Sequence, residues 1–250
     1  MVRSISLYRR KAILEASESG SQGIESAFVC TQPRPSWTLR VEQSQVTERP
    51  PGDKDPHDSA GARVFLAVGI PDATRTVIDE GLRDIRKLAS ECGLNLRWVE
   101  KDALHLTLAF VASVDPLGLE DIGSAIETLS ADTQLFDLAL GGGGAFPGLR
   151  EPSILWLGVT KGSGPLISLA EAVQVAMASV GYPQSPRPYR PHLTIARSRR
   201  IQDVGAIVAA ASAISAPPFR VPEVVLYRSH LGTGPARYER LAGFALKSAQ

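Results

Sequence analysis

The stretch "YRPHLTIAR", residues 189–197, reads as a β-strand in which His192 and Thr194 alternate with the apolar Leu193 and Ile195. Residues i and i+2 of a strand share a face, so the imidazole and the hydroxyl point together and the two apolar side chains point away. The same pattern stands 87 residues earlier in "DALHLTLAF", residues 102–110, where His105 and Thr107 face away from Leu104, Leu106 and Leu108. A lone strand histidine is ordinarily structural, and a lone strand threonine is a β-former. Two such pairs at matching places ask for one explanation.

Working outward, the flanks of the two pairs also match. "RVFLAVGI" (63–70) is an apolar strand followed by the helix start Pro71-Asp72. Val77, Ile78, Leu82, Ile85 and Leu88 recur at helical spacing, and Cys92-Gly93 ends that helix. The strands "LRWV" (96–99) and "LHLTLAFVA" (104–112), a helix over 117–130 and the strand "QLFDLALG" (134–141) follow. The glycines 141–144 then read as a turn. The second half repeats the order. "SILWLGVT" (153–160) is a strand, and Leu166, Leu169, Val173, Ala176 and Val180 mark a helix closed by Gly181. The strand 189–197, a helix over 201–213 and the strand "FRVPEVVLYRS" (219–229) come next, with "ARYERLAGFALK" (236–247) as a final strand. From the start of the leading strand to the histidine is 41 residues in the first copy (Val64 to His105) and 39 in the second (Ser153 to His192). The repeat predicts an α+β fold of two pseudo-symmetric lobes. Each is a small, largely antiparallel sheet with helices on its outer face, and the open faces meet across a cleft.

Residues 1–60 lie outside this pattern. They hold 8 basic and 8 acidic residues, and their second half is polar, proline-bearing and aperiodic. They read as a disordered extension on a domain spanning 61–250. The net charge of +1 is unevenly spread: 9 Lys/Arg against 15 Asp/Glu over Gly61–Val180, but 10 against 3 from Gly181 onward. A basic C-terminal third suits an anionic ligand such as phosphate. Cys30 and Cys92 form no CxxC and read as free thiols. No apolar run approaches the roughly 20 residues that a spanning helix needs, so no membrane partner is expected.

The chemistry follows from the pairs. In-line displacement at phosphorus needs a base on one side and an acid on the other, and histidine serves as either near neutral pH. The threonine hydroxyls donate to non-bridging phosphate oxygens, and the arginines add positive potential. A metal is not needed, and His57, His105, His192 and His230 lack metal-type spacing. "GGGGAFPG" has neither the Lys-Ser/Thr nor the helix start of a phosphate loop.

His105-Leu-Thr-Leu and His192-Leu-Thr-Ile resemble the twin motifs of the two-histidine phosphoesterases. More narrowly, the chain resembles the RNA 2′,3′-cyclic phosphodiesterases, also called 2′-5′ RNA ligase-like proteins. "RVFLAV", "LRWVEKDALHLTLAF", "GAFPGLREPSILWLGV", "RPYRPHLTIAR" and "LYRSHLGTGPARYERLAGFAL" agree, so the likeness covers Arg63 to Leu246. It implies metal-independent hydrolysis of a terminal 2′,3′-cyclic phosphate on RNA to a 2′-phosphomonoester. His105 would protonate the departing 3′ oxygen, His192 would activate water, and Thr107 and Thr194 would hold the phosphate. Arg190 would share the strand face of His192, with Arg187 a further candidate. Phe110 and Arg197, each five residues after a histidine, would sandwich a terminal base, which strict alternation forbids unless a bulge intervenes. Trp98 is a third candidate stacker. The implied partners are RNA ends or short oligonucleotides carrying a cyclic phosphate, with no cofactor, for a cytoplasmic monomer. Glu100-Lys101-Asp102 departs from the Pro-Glu-Asn-like turn that the family would place before His105. An RNA-end binding module, or a 2′,5′-oligonucleotide phosphodiesterase or ligase, would use the same cleft.

Overall fold

A computed structural model describes residues 61–184, 186–230 and 236–248. The expected extension over 1–60 lies outside the described residues, as does the histidine at 57. Nine strands are described: β1 (Ala62–Gly69), β2 (Leu96–Trp98), β3 (His105–Val114), β4 (Phe136–Phe146), β5 (Ile154–Lys161), β6 (Leu193–Ser198), β7 (Phe219–Val221), β8 (Glu223–His230) and β9 (Arg237–Ala245). Four α-helices accompany them: α1 (Asp72–Glu91), α2 (Pro116–Asp132), α3 (Ser163–Ser179) and α4 (Gly205–Ala211). The strands form two sheets, ordered β3-β1-β8-β9 and β2-β6-β5-β4-β7, and every pair within them is antiparallel.

The two copies of the repeat do not fold separately. The first sheet takes β1 and β3 from the first half and β8 and β9 from the end of the chain. The second takes β5, β6 and β7 from the second half and β2 and β4 from the first. The helices are exchanged in the same way. The first-half α2 lies against β8 and β9 and meets the second-half α3, which also touches β3. The second-half α4 packs on β4 and against the first-half α1. Leu82, Leu106, Leu157 and Leu166, from both sheets and their helices, belong to one buried apolar cluster. Burying one such leucine contributes about 1.5–3 kcal/mol, so this shared core ties the halves into one cooperative body.

Five local expectations are corrected. The glycines 141–144 are not a turn but part of β4, paired with β5 through Phe146↔Ile154. A Cβ on Gly143 would lie 2.5 Å from the Val208 carbonyl oxygen of α4, and one on Gly144 would lie 2.1 Å from the Trp156 ring. A helix and an indole thus press on opposite faces of the strand, and only glycine admits both. The expected strand 219–229 is two strands broken at Pro222: β7 joins β4 in one sheet and β8 joins β1 in the other. Proline has no N–H to continue a ladder, so the chain changes sheets there. The expected strand 189–197 becomes regular only at Leu193, because Pro188 and Pro191 interrupt its start. Arg190 and His192 therefore precede β6 and share no strand face. The helix expected over 201–213 is confined to Gly205–Ala211. In α1, Thr74, Ile78, Leu82, Ile85 and Ala89 form the buried stripe and Val77 is exposed, since a 4-4-3-4 spacing keeps one face and residue 77 falls off it.

Candidate active site

Thr107 and Thr194 stand where the two open sheet faces meet. In β3, His105 pairs with Gly69 and Thr107 with Ala67, while Leu104, Leu106 and Leu108 are buried on the other side. In β6, Thr194 pairs with Trp156, while Leu193 and Ile195 are buried. A cleft of about 220 Å³ is lined by His105, Thr107, Thr194, Arg197, Trp98 and Tyr238. A wider groove of about 950 Å³ takes His192, Phe110, Arg187 and Arg190 and shares Thr107, Thr194 and Arg197 with the first. The two form one continuous depression with an imidazole on each side of the threonines.

Each imidazole is oriented in the same way. The Nδ1–H of His105 donates to the Ala103 carbonyl at 2.8 Å, and that of His192 donates to the Arg190 carbonyl at 2.7 Å. A carbonyl only accepts, so Nδ1 carries the hydrogen in both rings and Nε2 is the nitrogen outside this bond. For His105 the carbonyl comes from a 3₁₀ turn, Lys101–Ala103, closed by Ala103 N–H to the Glu100 carbonyl at 2.9 Å. The Glu-Lys-Asp departure therefore still builds the turn that aims the ring.

The surroundings of the two rings differ. The His105 ring lies 4.7 Å from that of Phe65 and meets Tyr238 edge-on at 5.1 Å, with Tyr227 at 6.4 Å. This apolar packing desolvates the imidazolium and brings the His105 pKa down to about 4. The Ala103 hydrogen bond opposes that shift, and electrostatic repulsion from Arg197 and from the nearby His192 ring adds to it. His192 meets the edge of Phe146 at 5.2 Å, and Trp156 backs Phe146 at 5.2 Å. The Arg190 guanidinium lies over the Phe146 ring, 5.8 Å from its centroid.

Both motifs are followed by a bulge at the same step. Ala67 pairs with Thr107 and Leu66 with Ala109, so Leu108 is unpaired. Trp156 pairs with Thr194 and Leu155 with Ala196, so Ile195 is unpaired. An extra residue reverses the alternation. Phe110, opposite Phe65, and Arg197, opposite Ile154, are thereby turned to the cleft face that His105 and Thr194 occupy. Phe110 is 43% exposed, with the Arg63 guanidinium 5.2 Å from its ring centroid. Trp98 fits less well as an open stacking surface. It pairs with Ala196 on the buried face, and Arg86 of α1 lies 5.8 Å from its ring centroid, so it serves as a wall of the cleft.

The aromatic rings around the histidines were not singled out from the sequence. Phe65 and Tyr238 sit on cleft-facing positions of their strands, but only the exchange of β8 and β9 into the first sheet brings Tyr238 to His105. Among the described residues, no group of three or more His, Cys, Asp or Glu could hold a metal ion, and no helix is long and apolar enough to cross a membrane.

Comparisons with known proteins agree with this geometry. Residues 75–233 match the 2′-5′ RNA ligase superfamily. An RNA 2′,3′-cyclic phosphodiesterase of Escherichia coli is 31% identical over 192 residues, 74% of this chain and 96% of that protein. One from Geobacillus stearothermophilus is 37% identical over 157 residues, and this chain spans about half of its length (48%). The crystal structure of E. coli LigT complexed with 3′-AMP is 29% identical, with a TM-score of 0.58 over 74% of this chain and 98% of that one. With two H-x-T motifs facing one cleft and the greater part of its length matched, the chain belongs to the 2′-5′ RNA ligase superfamily of two-histidine phosphoesterases.

Proposed function

We propose that the protein is an RNA 2′,3′-cyclic phosphodiesterase that opens a terminal cyclic phosphate to a 2′-phosphomonoester without a metal ion. The observation that carries this reading is the matched pair of Nδ1–carbonyl hydrogen bonds, which leaves two Nε2 atoms for two proton transfers in one cleft. Water attacks phosphorus from the side of His192, whose Nε2 takes the proton. The P–O3′ bond breaks on the far side, and Nε2–H of His105 protonates the departing oxygen, leaving a 3′-hydroxyl and a 2′-phosphate. Thr107 and Thr194 donate to the non-bridging oxygens, where charge builds in the transition state. Phe110 and Arg197 flank the terminal base, while Arg187 and Arg190 supply positive potential along the wider groove.

His105 is neutral at pH 7 in the free protein, because its aromatic enclosure disfavours the charged form. A bound phosphate anion favours that form and opposes the shift, which is the direction the donor role requires. The names of the curated relatives support the substrate class. A 950 Å³ groove beside His192 exceeds what one water needs, which favours a second reading: an alcohol could take the place of water, giving 2′,5′ ligation. The protein is further proposed to act as a cytoplasmic monomer with residues 1–60 dispensable, so that a chain beginning at Gly61 keeps its turnover. The test is incubation with RNA ending in a 2′,3′-cyclic phosphate, with and without chelator, and mapping of the product. A 2′-phosphate formed in EDTA is expected. Activity that EDTA abolishes and a divalent ion restores would refute the metal-free chemistry.

A further inference from the structure

The two carbonyls that hold the imidazoles are themselves held by different means. That of Arg190 is joined to Pro191 and follows Pro188 closely, and proline restricts both its own backbone and that of the residue before it. That of Ala103 belongs to the turn Lys101–Ala103, which contains no proline and buries none of its residues. A single 3₁₀ turn is a weak element by itself. Packing does not make up for this, because Ala103 borders two hollows. One is the 220 Å³ cleft, and the other is a cavity of about 300 Å³ lined also by Pro71, Arg75, Asp102, His105 and Tyr227.

Side chains at the start of α1 reach the turn instead. The Lys101 ammonium donates to the Thr76 hydroxyl at 2.8 Å, and that hydroxyl donates to the Asp72 carbonyl at 2.9 Å. The Thr76 proton is thus committed to its own helix, and the oxygen is left to accept from Lys101. Arg75 donates to the Asp102 carbonyl at 3.4 Å, and the Asp72 carboxylate holds the same guanidinium. Two successive residues of the turn are therefore tied to one helix.

We infer that Lys101 and Thr76 are positioning residues for His105: their hydrogen bond fixes the turn whose Ala103 carbonyl holds the Nδ1–H of the imidazole. The inference rests on the phosphodiesterase reading and deepens it, since it names what keeps the general acid in line with the departing oxygen. Lys101 acts through the turn and touches no substrate. It does for His105 what Pro191 does for His192.

The experiment is nitrogen NMR of the two imidazoles at pH 7, with kinetics on RNA ending in a 2′,3′-cyclic phosphate. His105 is neutral at that pH, so its nitrogen shifts report the tautomer. The unaltered protein should show the Nδ1–H form. Lys101→Met should move His105 toward the Nε2–H form, leave the His192 signals in place, and lower kcat by about 10–10²-fold with KM hardly changed. Thr76→Val, which keeps the side-chain shape, should do the same, and it decides the matter should Lys101→Met not fold. The double variant should be no worse than either single one. Lys101→Arg and Thr76→Ser keep the hydrogen bond and should keep both the tautomer and the rate. An unmoved His105 tautomer in the Met and Val variants, equal changes at both histidines, or a shifted tautomer with normal turnover overturns the inference. If the unaltered protein does not hydrolyse the RNA but Lys101→Met alters the His105 tautomer alone, the positioning stands and the phosphodiesterase reading fails.

Discussion

Phe110 and Arg197 occupy the same place in the two halves of the chain: each follows its histidine by five residues across a single unpaired residue, Leu108 in one strand and Ile195 in the other. Each bulge turns its side chain from the buried face to the cleft. The pair is expected to hold the terminal base, with stacking worth about 1–3 kcal/mol. Phe110→Ala and Arg197→Ala should each raise KM by roughly tenfold or more, and thermal stability should hardly move because both side chains are exposed. Unchanged KM on a cyclic-phosphate dinucleotide would show that the bulges serve packing alone.

In the proposed mechanism His105 and His192 each serve one end of a single displacement, so they should fail as a unit. General acid or base catalysis is worth about 10²–10⁴ in rate. His105→Ala and His192→Ala should each lower single-turnover rates by at least that order. The double variant should be far less damaged than the product of the two effects. Thr107→Ala and Thr194→Ala should lose less, since each removes one hydrogen bond. Near-normal turnover in either histidine variant refutes the assignment, and a 3′-phosphate product would reverse the placement of His105.

Tyr238 is one of the rings that bury His105, and its removal should change the pKa of that imidazole. Its ring meets the imidazole edge-on at 5.1 Å and packs on Phe65 at 4.9 Å. Tyr238→Ala admits water and should raise the His105 pKa from about 4 toward the ordinary 6.5. Tyr238→Phe keeps the ring and should leave it low. An NMR titration of the imidazole reads the shift directly. An unmoved pKa in Tyr238→Ala would mean that Phe65 and Tyr227 suffice.

The same depressed pKa makes stability depend on pH. Between about 6.5 and about 4 the unfolded chain binds a proton that folded His105 refuses, so this contribution is complete above 6.5 and is lost as the pH falls toward 4. The loss on going from pH 7 to pH 4 is about 3 kcal/mol. Urea unfolding of the unaltered protein and of His105→Gln at both pH values measures it. The variant should lack this part of the pH dependence, and parallel losses in the two proteins would count against it.

Gly144 carries a prediction for the His192 side. A side chain there would run into Trp156, which backs Phe146 and through it His192. Gly144→Val should cost about 1–3 kcal/mol or more through overpacking and should lower kcat by displacing the base. A Gly144→Val protein with normal stability and rate would show that the indole moves aside freely.

The sequence by itself determined what local chemistry and periodicity encode. The alternation around His105 placed it with Thr107 on one face and Leu104, Leu106 and Leu108 on the other, and the repeated order of elements set the two-lobed α+β design. The five-residue spacing to Phe110 and Arg197 showed that a bulge was needed if those residues were to act. It did not show that the bulges form, because their unpaired residues, Leu108 and Ile195, look like any others in an apolar strand and are defined only by the ladder opposite. Tertiary structure also decided partnership. Pro222 reads as a minor irregularity in an apolar run, yet there the chain passes from one sheet to the other, and Tyr238 reaches His105 only because β9 follows β8 into the first sheet. Gly143 and Gly144 mimic a turn in sequence, since the indole and the helix that exclude a side chain come from distant segments. Periodicity reports the face a residue occupies. What covers that face is settled by long-range packing, which local spacing does not record.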